Sequence, residues 1–209
     1  MTASVIRFEN GLYKQNCYIV GSSEGTALLI DPGSDAESIK TLLTEQGWSP
    51  LAILLTHGHF DHIGAASVIA KEYGISCYGS GKDKSLIRRA NLYKLVIEPN
   101  NPITPPVLDG DIINATGIDN LRSFALKIVE TPGHTPGSVC IIIGDKIFTG
   151  DTVLPEGVGR IDLPGGNIDD LKASIRRLQT LSPTLTAYPG HGEAVPLLEL
   201  LKAQSLVAI

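Results

Sequence analysis

The sequence has no uninterrupted apolar stretch near the roughly 18 residues that a membrane-spanning helix needs. Its first residues, MTASVIRFENGLYKQN, contain no apolar segment of signal-peptide length. Positive charge is scarce as well, because 22 Asp and Glu residues outnumber 17 Lys and Arg residues in the 209-residue chain. Such a balance does not suit a protein that neutralises many phosphates. We therefore expect a cytoplasmic protein with no membrane or nucleic-acid partner.

Cysteine is equally scarce. Cys17, Cys77 and Cys140 have no C-x-x-C spacing, and each lies in an apolar, strand-like context. We expect buried free thiols rather than metal-binding or redox residues. Low-complexity tracts are also absent, and 43% of the residues are hydrophobic, which is enough for a substantial core. The expected organisation is a single domain over residues 1–209.

Short strand-like segments alternate with helix signals along the chain. The segment 34–47 places Ser34 and Glu37 in capping-box spacing and ends at Gly47. The segments 63–74 and 167–181 also have helical patterns, the second with Asn167 as its N-cap. Because the early strands look like hairpins, we predict an α/β fold with mixed sheets. The strand-like segments are 4–8, 17–20, 27–31, 52–56, 138–143 and 146–151.

Two further segments can be explained without a functional role. A basic run indicates a solvated helix face rather than a binding patch. The four prolines within residues 98–110 predict a surface loop, which would be either an ordinary connector or a lid. The residues of the basic run are Lys82, Lys84, Arg88, Arg89 and Lys94.

Histidine is the unusual feature, because only 5 occur and three of them fall within LLTHGHFDHIG, residues 54–64. These are His57, His59 and His62, whereas His134 and His191 lie in Pro-Gly turns that follow apolar runs. Every histidine therefore lies in a loop at the end of a strand-like segment. Core packing would place histidines within the runs, so the distribution favours a shared site assembled from strand ends.

The residue types in these loops indicate metal binding. In an extended HGHFDH segment, His57, His59 and Asp61 lie on one side because alternate residues point the same way. Asp151 in FTGD is a second carboxylate just beyond a strand. Five imidazoles and two carboxylates without thiolates suit two centres of Zn²⁺, Fe or Mn²⁺. Competing signatures fail, since residues 79–83 lack the P-loop pattern and no G-x-S-x-G, H-E-x-x-H or strand-following G-x-G-x-x-G motif is present.

The motifs THGHFDH, TPGHTPGS, FTGD and PGHG, preceded by LLIDPG, resemble those of the metallo-β-lactamase superfamily in the same order. The resemblance covers most of the chain and implies a four-layer αββα sandwich of two mixed sheets with a metal site at one edge. It implies two divalent ions per chain, with zinc as the expected metal and iron or manganese as alternatives. One ion would be bound by His57, His59 and His134, the other by Asp61, His62 and His191, with Asp151 bridging both.

Two acidic residues receive additional roles. Asp61 is expected to be catalytic by orienting the proton of the attacking water. Asp31 in LLIDPG is either a turn residue or a residue that orients a ligand histidine. True β-lactamases of the superfamily usually have Arg at the position of His62 and a Cys ligand near Asp151, so β-lactam hydrolysis is not expected.

Within the superfamily the chain looks most similar to glyoxalase II and its short relatives, which hydrolyse thioesters such as S-lactoylglutathione. Arg160 matches a basic position that contacts glutathione, but Asp162 and Glu193 replace two tyrosines that assist it. Because only 17 residues follow Gly192, we expect a single domain that lacks the helical domain of dedicated glyoxalase II enzymes. Because glutathione is anionic, we expect a small-molecule thioester substrate with a weaker or different preference for the thiol carrier.

Three alternatives remain open at this point. An iron-dependent persulfide dioxygenase would use only His57, His134 and Asp151 as a facial triad. A lactonase or a phosphodiester-cleaving enzyme would use the same two-metal centre, although the acidic balance argues against a nuclease. In a non-enzymatic protein the metals would only stabilise the fold or a partner interface, but such structural sites are usually closed and rich in thiolates.

Overall fold

Two mixed β-sheets pack face to face in the computed structural model, which describes residues 3–206, with side chains through Lys202. The first sheet has six strands in sequence order. Its first three strands pair antiparallel and its remaining pairs are parallel. Its strands are β1 (Ser4–Asn10), β2 (Gln15–Gly21), β3 (Thr26–Ile30), β4 (Ser49–Leu54), β5 (Ser76–Gly79) and β6 (Gly110–Asp111).

The second sheet has five strands in the order β11-β10-β9-β8-β7. Its β9–β10 pair is parallel and its other pairs are antiparallel. The predicted mixed character of the sheets is therefore confirmed. The strands are β7 (Lys127–Glu130), β8 (Val139–Ile143), β9 (Lys146–Gly150), β10 (Thr186–Pro189) and β11 (Val195–Pro196).

Seven α-helices are assigned within residues 3–206, together with three short 3-10 helices at Gly81–Asp83, Ile112–Gly117 and Asp119–Phe124. None of the helices in this range is both long and apolar enough to cross a membrane. The α-helices are α1 (Ala36–Gln46), α2 (Phe60–Ile63), α3 (Ala66–Tyr73), α4 (Lys84–Arg88), α5 (Ala90–Ile97), α6 (Ile168–Gln179) and α7 (Leu197–Leu206).

Strand alternation divides the core into three layers of side chains. In β2, Tyr18 and Val20 face the space between the sheets, whereas Cys17 and Ile19 face the layer that contains α1 and α3. In β8, Cys140 and Ile142 face the layer of α6 and α7, while their neighbours face the first sheet. Since helices cover both outer faces, the predicted four-layer αββα sandwich is confirmed.

The three cysteines are buried and free, as predicted. Burial raises the pKa of the Cys77 thiol to about 12 and that of Cys140 to about 11. All six predicted strands are present. The other five strands, β5, β6, β7, β10 and β11, were not among them, and each has only four residues or two. Such short segments are too brief to display an apolar alternation.

The capping prediction is right for one helix and wrong for another. Asn167 caps α6, where its Oδ1 accepts hydrogen bonds from the backbone N–H groups of residues 169 and 170. The N-cap of α1 is Asp35 rather than Ser34. Asp35 adopts a left-handed conformation with a φ of 55° and accepts from the Ser38 N–H, while the Ser34 hydroxyl donates to Asn10. Gly47 ends α1 as predicted, with a φ of 66°.

The basic run is not entirely a solvated face. Lys94 is 7% exposed, because its ammonium contacts Glu98 at 2.7 Å and lies 5.7 Å from the centroid of the Phe60 ring. The 98–110 segment behaves as a tethered connector, since the Asn91 side chain hydrogen-bonds both backbone groups of Ile103. Ile103 also packs against the core on the outer face of the first sheet.

Candidate metal centre

The carboxyl ends of five strands from both sheets meet at one edge of the sandwich. The loops after β3 and β4 leave the first sheet there, and the loops after β7, β9 and β10 leave the second. Loops at such strand ends carry functional side chains while the sheets position them. The residues that these five loops bring together are Asp31, His57, His59, Asp61, His62, His134, Asp151 and His191.

A first group of potential ligands consists of imidazoles alone. One ring nitrogen from each of His57, His59 and His134 lies within 4.8 Å of the others. The His134 Nε2 is 2.8 Å from the His59 Nδ1. His57 is buried, and its Nε2 has no hydrogen-bond partner. These three residues come from loops on different sheets, so the group forms only when the sheets pack together.

A second group adds a carboxylate. Ligand atoms of Asp61, His62 and His191 lie within 4.8 Å of one another. The Asp61 Oδ2 is 3.5 Å from the His191 Nε2 and 3.8 Å from the His62 Nε2. His62 is fully buried in the four-residue helix α2. The helical turn lets His62 face the same centre as Asp61, although the two residues are adjacent in sequence.

The Asp151 carboxylate lies between the two groups. Its Oδ1 is 3.5 Å from the His62 Nε2, and its Oδ2 is 3.6 Å from the Nε2 atoms of both His134 and His191. Gly190 permits this approach, because a Cβ there would lie 2.2 Å from the Asp151 Oδ1. The glycine before His191 is therefore a steric requirement that sequence reasoning did not identify.

Three buried polar atoms of this cluster, the His57 Nε2, the His62 Nε2 and the Asp151 Oδ1, have no hydrogen-bond partner among the described residues. Buried polar groups are nearly always satisfied in folded proteins, so these atoms point to a bound partner such as a metal ion. Imidazole nitrogen and carboxylate oxygen are suitable donors for Zn²⁺, Fe and Mn²⁺. The residues present therefore fit two divalent metal ions, one in each group.

Electrostatics distinguish the two groups. Burial and the neighbouring His62 hold the pKa of His57 well below its usual value, and burial with His134 lowers the pKa of His59 to about 4. These imidazoles are neutral and can donate their lone pairs. In the second group, burial opposes ionisation, but Asp151 and Asp61 outweigh it and raise the pKa of His62 to about 10. The acidic surroundings of His62 favour a bound positive charge.

The outward-facing ring nitrogens are held by hydrogen bonds. The Asp31 Oδ2 accepts from the His62 Nδ1 at 2.9 Å, which aims the Nε2 at the centre. The same carboxylate accepts from the backbone N–H of Thr56 at 2.7 Å. The His134 Nδ1 donates to the backbone oxygen of Arg160 at 2.7 Å, and the His191 Nδ1 donates to that of Tyr13 at 3.0 Å. Asp31 thus directly follows β3 with a positive φ of 49° and contacts a cluster histidine, in agreement with the second of its two predicted roles.

A buried carboxylate that sequence reasoning missed joins two of these loops. Asp83 is 2% exposed, and its Oδ2 accepts from the Gly58 N–H at 2.9 Å and from the Thr135 hydroxyl at 2.7 Å. Its Oδ1 accepts from the Gly137 N–H at 2.8 Å. Gly58 lies between two cluster histidines, and the other two partners follow His134. The available signal was a carboxylate just after the apolar segment that forms β5.

Arg160 lies at the rim of the site but is not free. Its guanidinium makes two hydrogen bonds to the Asp162 carboxylate, at 2.9 and 2.8 Å. Glu193 similarly pairs with Arg7 at 2.5 Å. Asp162 and Glu193 are therefore each paired with an arginine, and Arg160 is engaged before any substrate arrives.

A cavity of about 400 Å³ opens above the cluster. His59, Asp61, His134, Asp151 and His191 form its floor. Apolar side chains from α2, α5 and the 154–164 segment form most of its walls. The cavity leads a small molecule directly to the potential metal ligands, as ligand-binding clefts usually do.

Comparisons with known proteins agree with this geometry. The family model described as the metallo-beta-lactamase superfamily matches residues 10–191. The chain is 36% identical to the hydroxyacylglutathione hydrolase GloC of Haemophilus influenzae, over 86% of each protein. It is 35% identical to the probable metallo-hydrolase YqgX of Bacillus subtilis, over 89% of each.

A solved structure extends the comparison to the arrangement in space. The crystal structure of TTHA1623 in a di-iron-bound form superposes with a TM-score of 0.85 at 33% identity. The alignment covers 97% of this chain and 100% of that one. This similar protein, by its description, binds two iron ions.

Proposed function

Because the chain belongs to the metallo-beta-lactamase superfamily of metallo-hydrolases, we propose that it is a two-metal hydrolase of thioesters. The observation that carries the two-metal proposal is the position of the Asp151 carboxylate, within 3.6 Å of histidines from both ligand groups. The thioester assignment is supported by the similarity to a protein named hydroxyacylglutathione hydrolase.

The ligand roles follow from the two groups. One ion would be held by His57, His59 and His134, the other by Asp61, His62 and His191, and both by Asp151. Zinc is the proposed metal, and the donor set of nitrogen and oxygen atoms suits it as well as iron or manganese. Two such ions, when bound, supply a water of lowered pKa and polarise a carbonyl oxygen.

The remaining steps concern the chain itself. Burial opposes ionisation of Asp61, but His62 and His191 outweigh it and keep the pKa of Asp61 below its usual range. Its ionised carboxylate can accept a hydrogen bond from the attacking water and so orient it. The thiol leaving group has an ordinary pKa of roughly 8.5 and departs without a strong acid. The cavity therefore needs no separate proton donor for a thioester.

A mononuclear iron dioxygenase explains fewer of these contacts. A facial triad of His57, His134 and Asp151 would leave Asp61, His62 and His191 without a function, although Asp31 and Tyr13 hold the outward nitrogens of both histidines. The orphaned His62 Nε2 would also remain unsatisfied. The geometry therefore favours the hydrolase.

Metal analysis and a substrate panel test the proposal. The protein as isolated should contain close to two divalent ions per chain, and should release thiol from S-lactoylglutathione. Oxygen uptake with glutathione persulfide, or hydrolysis of lactones without hydrolysis of any thioester, would refute it. Asp145→Asn is the matched control, because Asp145 is also an aspartate but lies at the opposite end of β9. We expect Asp151→Asn to lose activity and Asp145→Asn to retain it.

A further inference from the structure

The cavity above the cluster has an apolar wall, which we define as Phe60, Tyr93, Val96, Ile97, Val158 and Leu163. Part of this wall is open to solvent. Val96 is 80% exposed and Ile97 is 42% exposed, both on α5 at the cavity mouth. Contiguous exposed apolar surface next to a reactive centre is typical of a binding site rather than of the fold. The wall therefore has a role in recognition.

The same cavity offers few cationic side chains that could bind an anionic substrate. Arg160 is the only Lys or Arg among the described residues that line the cavity, and the Asp162 carboxylate takes two of its hydrogen bonds. Glutathione carries more carboxylates than ammonium groups and would need an available cation. The Asp162 carboxylate offsets the charge of Arg160 and occupies its Nε–H and one Nη2–H, so an anionic carrier meets a cation that is already paired.

From these two observations we infer that the enzyme selects thioesters with an apolar acyl chain, which packs against the apolar wall, and that it does not select for glutathione. This inference rests on the proposed thioesterase activity. In the reaction, the oxygen of one water forms a bond to the acyl carbon and the C–S bond breaks. The sulfur leaves as a thiolate, and the two products are a carboxylate and a thiol once protons have exchanged with solvent.

The expected dependence of the rate on acyl-chain length follows from the burial of each added methylene. The transfer of one CH₂ group out of water changes an equilibrium or rate by roughly fourfold. A chain that occupies the wall should therefore show a rise of about that factor per methylene for the first few carbons. The rise should end when the cavity of about 400 Å³ is filled.

The first experiment measures kcat/KM of the zinc-loaded protein for a series of S-acyl-N-acetylcysteamines, from acetyl to octanoyl, and for S-lactoylglutathione. We expect octanoyl to exceed acetyl by more than roughly tenfold, and S-lactoylglutathione to be a poorer substrate than the longer acyl esters. A flat or falling series, or a clear preference for the glutathione ester, would overturn this inference and leave the proposed thioesterase intact. Absence of hydrolysis with every thioester would overturn the proposed function and this inference with it.

A matched pair of variants locates the selectivity on the wall. Val96 and Val107 are 80% and 81% exposed, but only Val96 lines the cavity. Val96→Asp places a charge on the wall and should reduce the octanoyl-to-acetyl ratio by roughly tenfold, whereas Val107→Asp should leave it unchanged. Equal ratios in both variants would overturn the assignment of the wall. Because the readout is a ratio of two substrates, a partial loss of folded protein does not alter it.

Discussion

Replacing Asp83 with alanine tests whether a residue that contacts no substrate positions the metal ligands. The Asp83 carboxylate ties the loop of Gly58 to the loop of Thr135 and Gly137 with three hydrogen bonds of 2.7 to 2.9 Å. These two loops supply the imidazoles of the first group. Asp83→Ala should therefore loosen that group and leave the second group, which other contacts hold, in place.

The magnitude follows from the groups that would lose their acceptor. The Thr135 hydroxyl can turn to the Ser138 Oγ, 2.8 Å away, but the N–H groups of Gly58 and Gly137 would be left unsatisfied. Each orphaned group costs about 1–3 kcal/mol, or roughly 4 kcal/mol for both. Burial raises the pKa of Asp83 and so already costs some stability, which the alanine recovers. We expect a net loss of about 3 kcal/mol in the free energy of unfolding.

Two measurements check this prediction. Urea denaturation of the metal-free protein gives the loss of stability, and competition with a chelator gives the affinity for zinc. Loss of a residue that orients metal ligands typically costs 10–100-fold in affinity, and we expect that range for one of the two ions. Asp109→Ala is the control, because Asp109 also accepts from a backbone N–H, that of Cys77, but contacts no ligand loop. Unchanged stability and zinc affinity in Asp83→Ala would refute the reasoning.

Three further predictions concern the centre and its rim. His57→Ala and Asp151→Ala should each abolish thioester hydrolysis, because each removes a proposed ligand, while circular dichroism remains that of the folded parent. Chelation of the metals should abolish activity and lower Tm, since an ion that binds only the folded state stabilises it by mass action, and added zinc should restore both. Asp162→Ala releases the guanidinium of Arg160, so it should raise kcat/KM for S-lactoylglutathione relative to a neutral thioester.

Each of these predictions has a contrary result. Residual hydrolysis near the parent level in a metal-checked His57→Ala protein would remove that residue from the ligand set. Full activity after verified metal removal would eliminate the two-metal proposal. For the rim, Asp119→Ala is a matched control because it frees Arg122 from a similar exposed pair that does not line the cavity. An equal change of the substrate ratio in both variants would exclude a direct role of Arg160.

The strands and the clustered histidines could be predicted because both are indicated by local sequence patterns. Apolar alternation over several residues identified six strands, one of which precedes His57, and His134 and His191 follow shorter apolar runs. Sheet geometry then brings strand ends to one edge, so residues far apart in sequence meet without any long-range signal. Asp31 and Asp151 obey the same rule.

The features that could not be predicted depend on packing between distant segments. Asp83 has partners at positions 58, 135 and 137, which approach it only after the two sheets assemble. The sequence predicted that Lys94 belongs to a solvated basic run, but α5 places its ammonium over the Phe60 ring. The N-cap of α1 was missed because Asp35 adopts a positive φ that composition does not reveal.

The proposed metal centre and the apolar wall, which would determine catalysis and substrate selectivity respectively, lie in different parts of the fold. The proposed ligands come from loops of both sheets and are largely buried, and their outward nitrogens or supporting loops are held by residues such as Asp31 and Asp83. A change there leaves buried polar groups without partners and costs several kcal/mol. Val96 and Ile97 are exposed on α5, where substitutions usually alter stability by about 0.5 kcal/mol or less. The range of substrates can therefore change through the apolar wall at little cost, whereas the metal centre cannot tolerate comparable substitution.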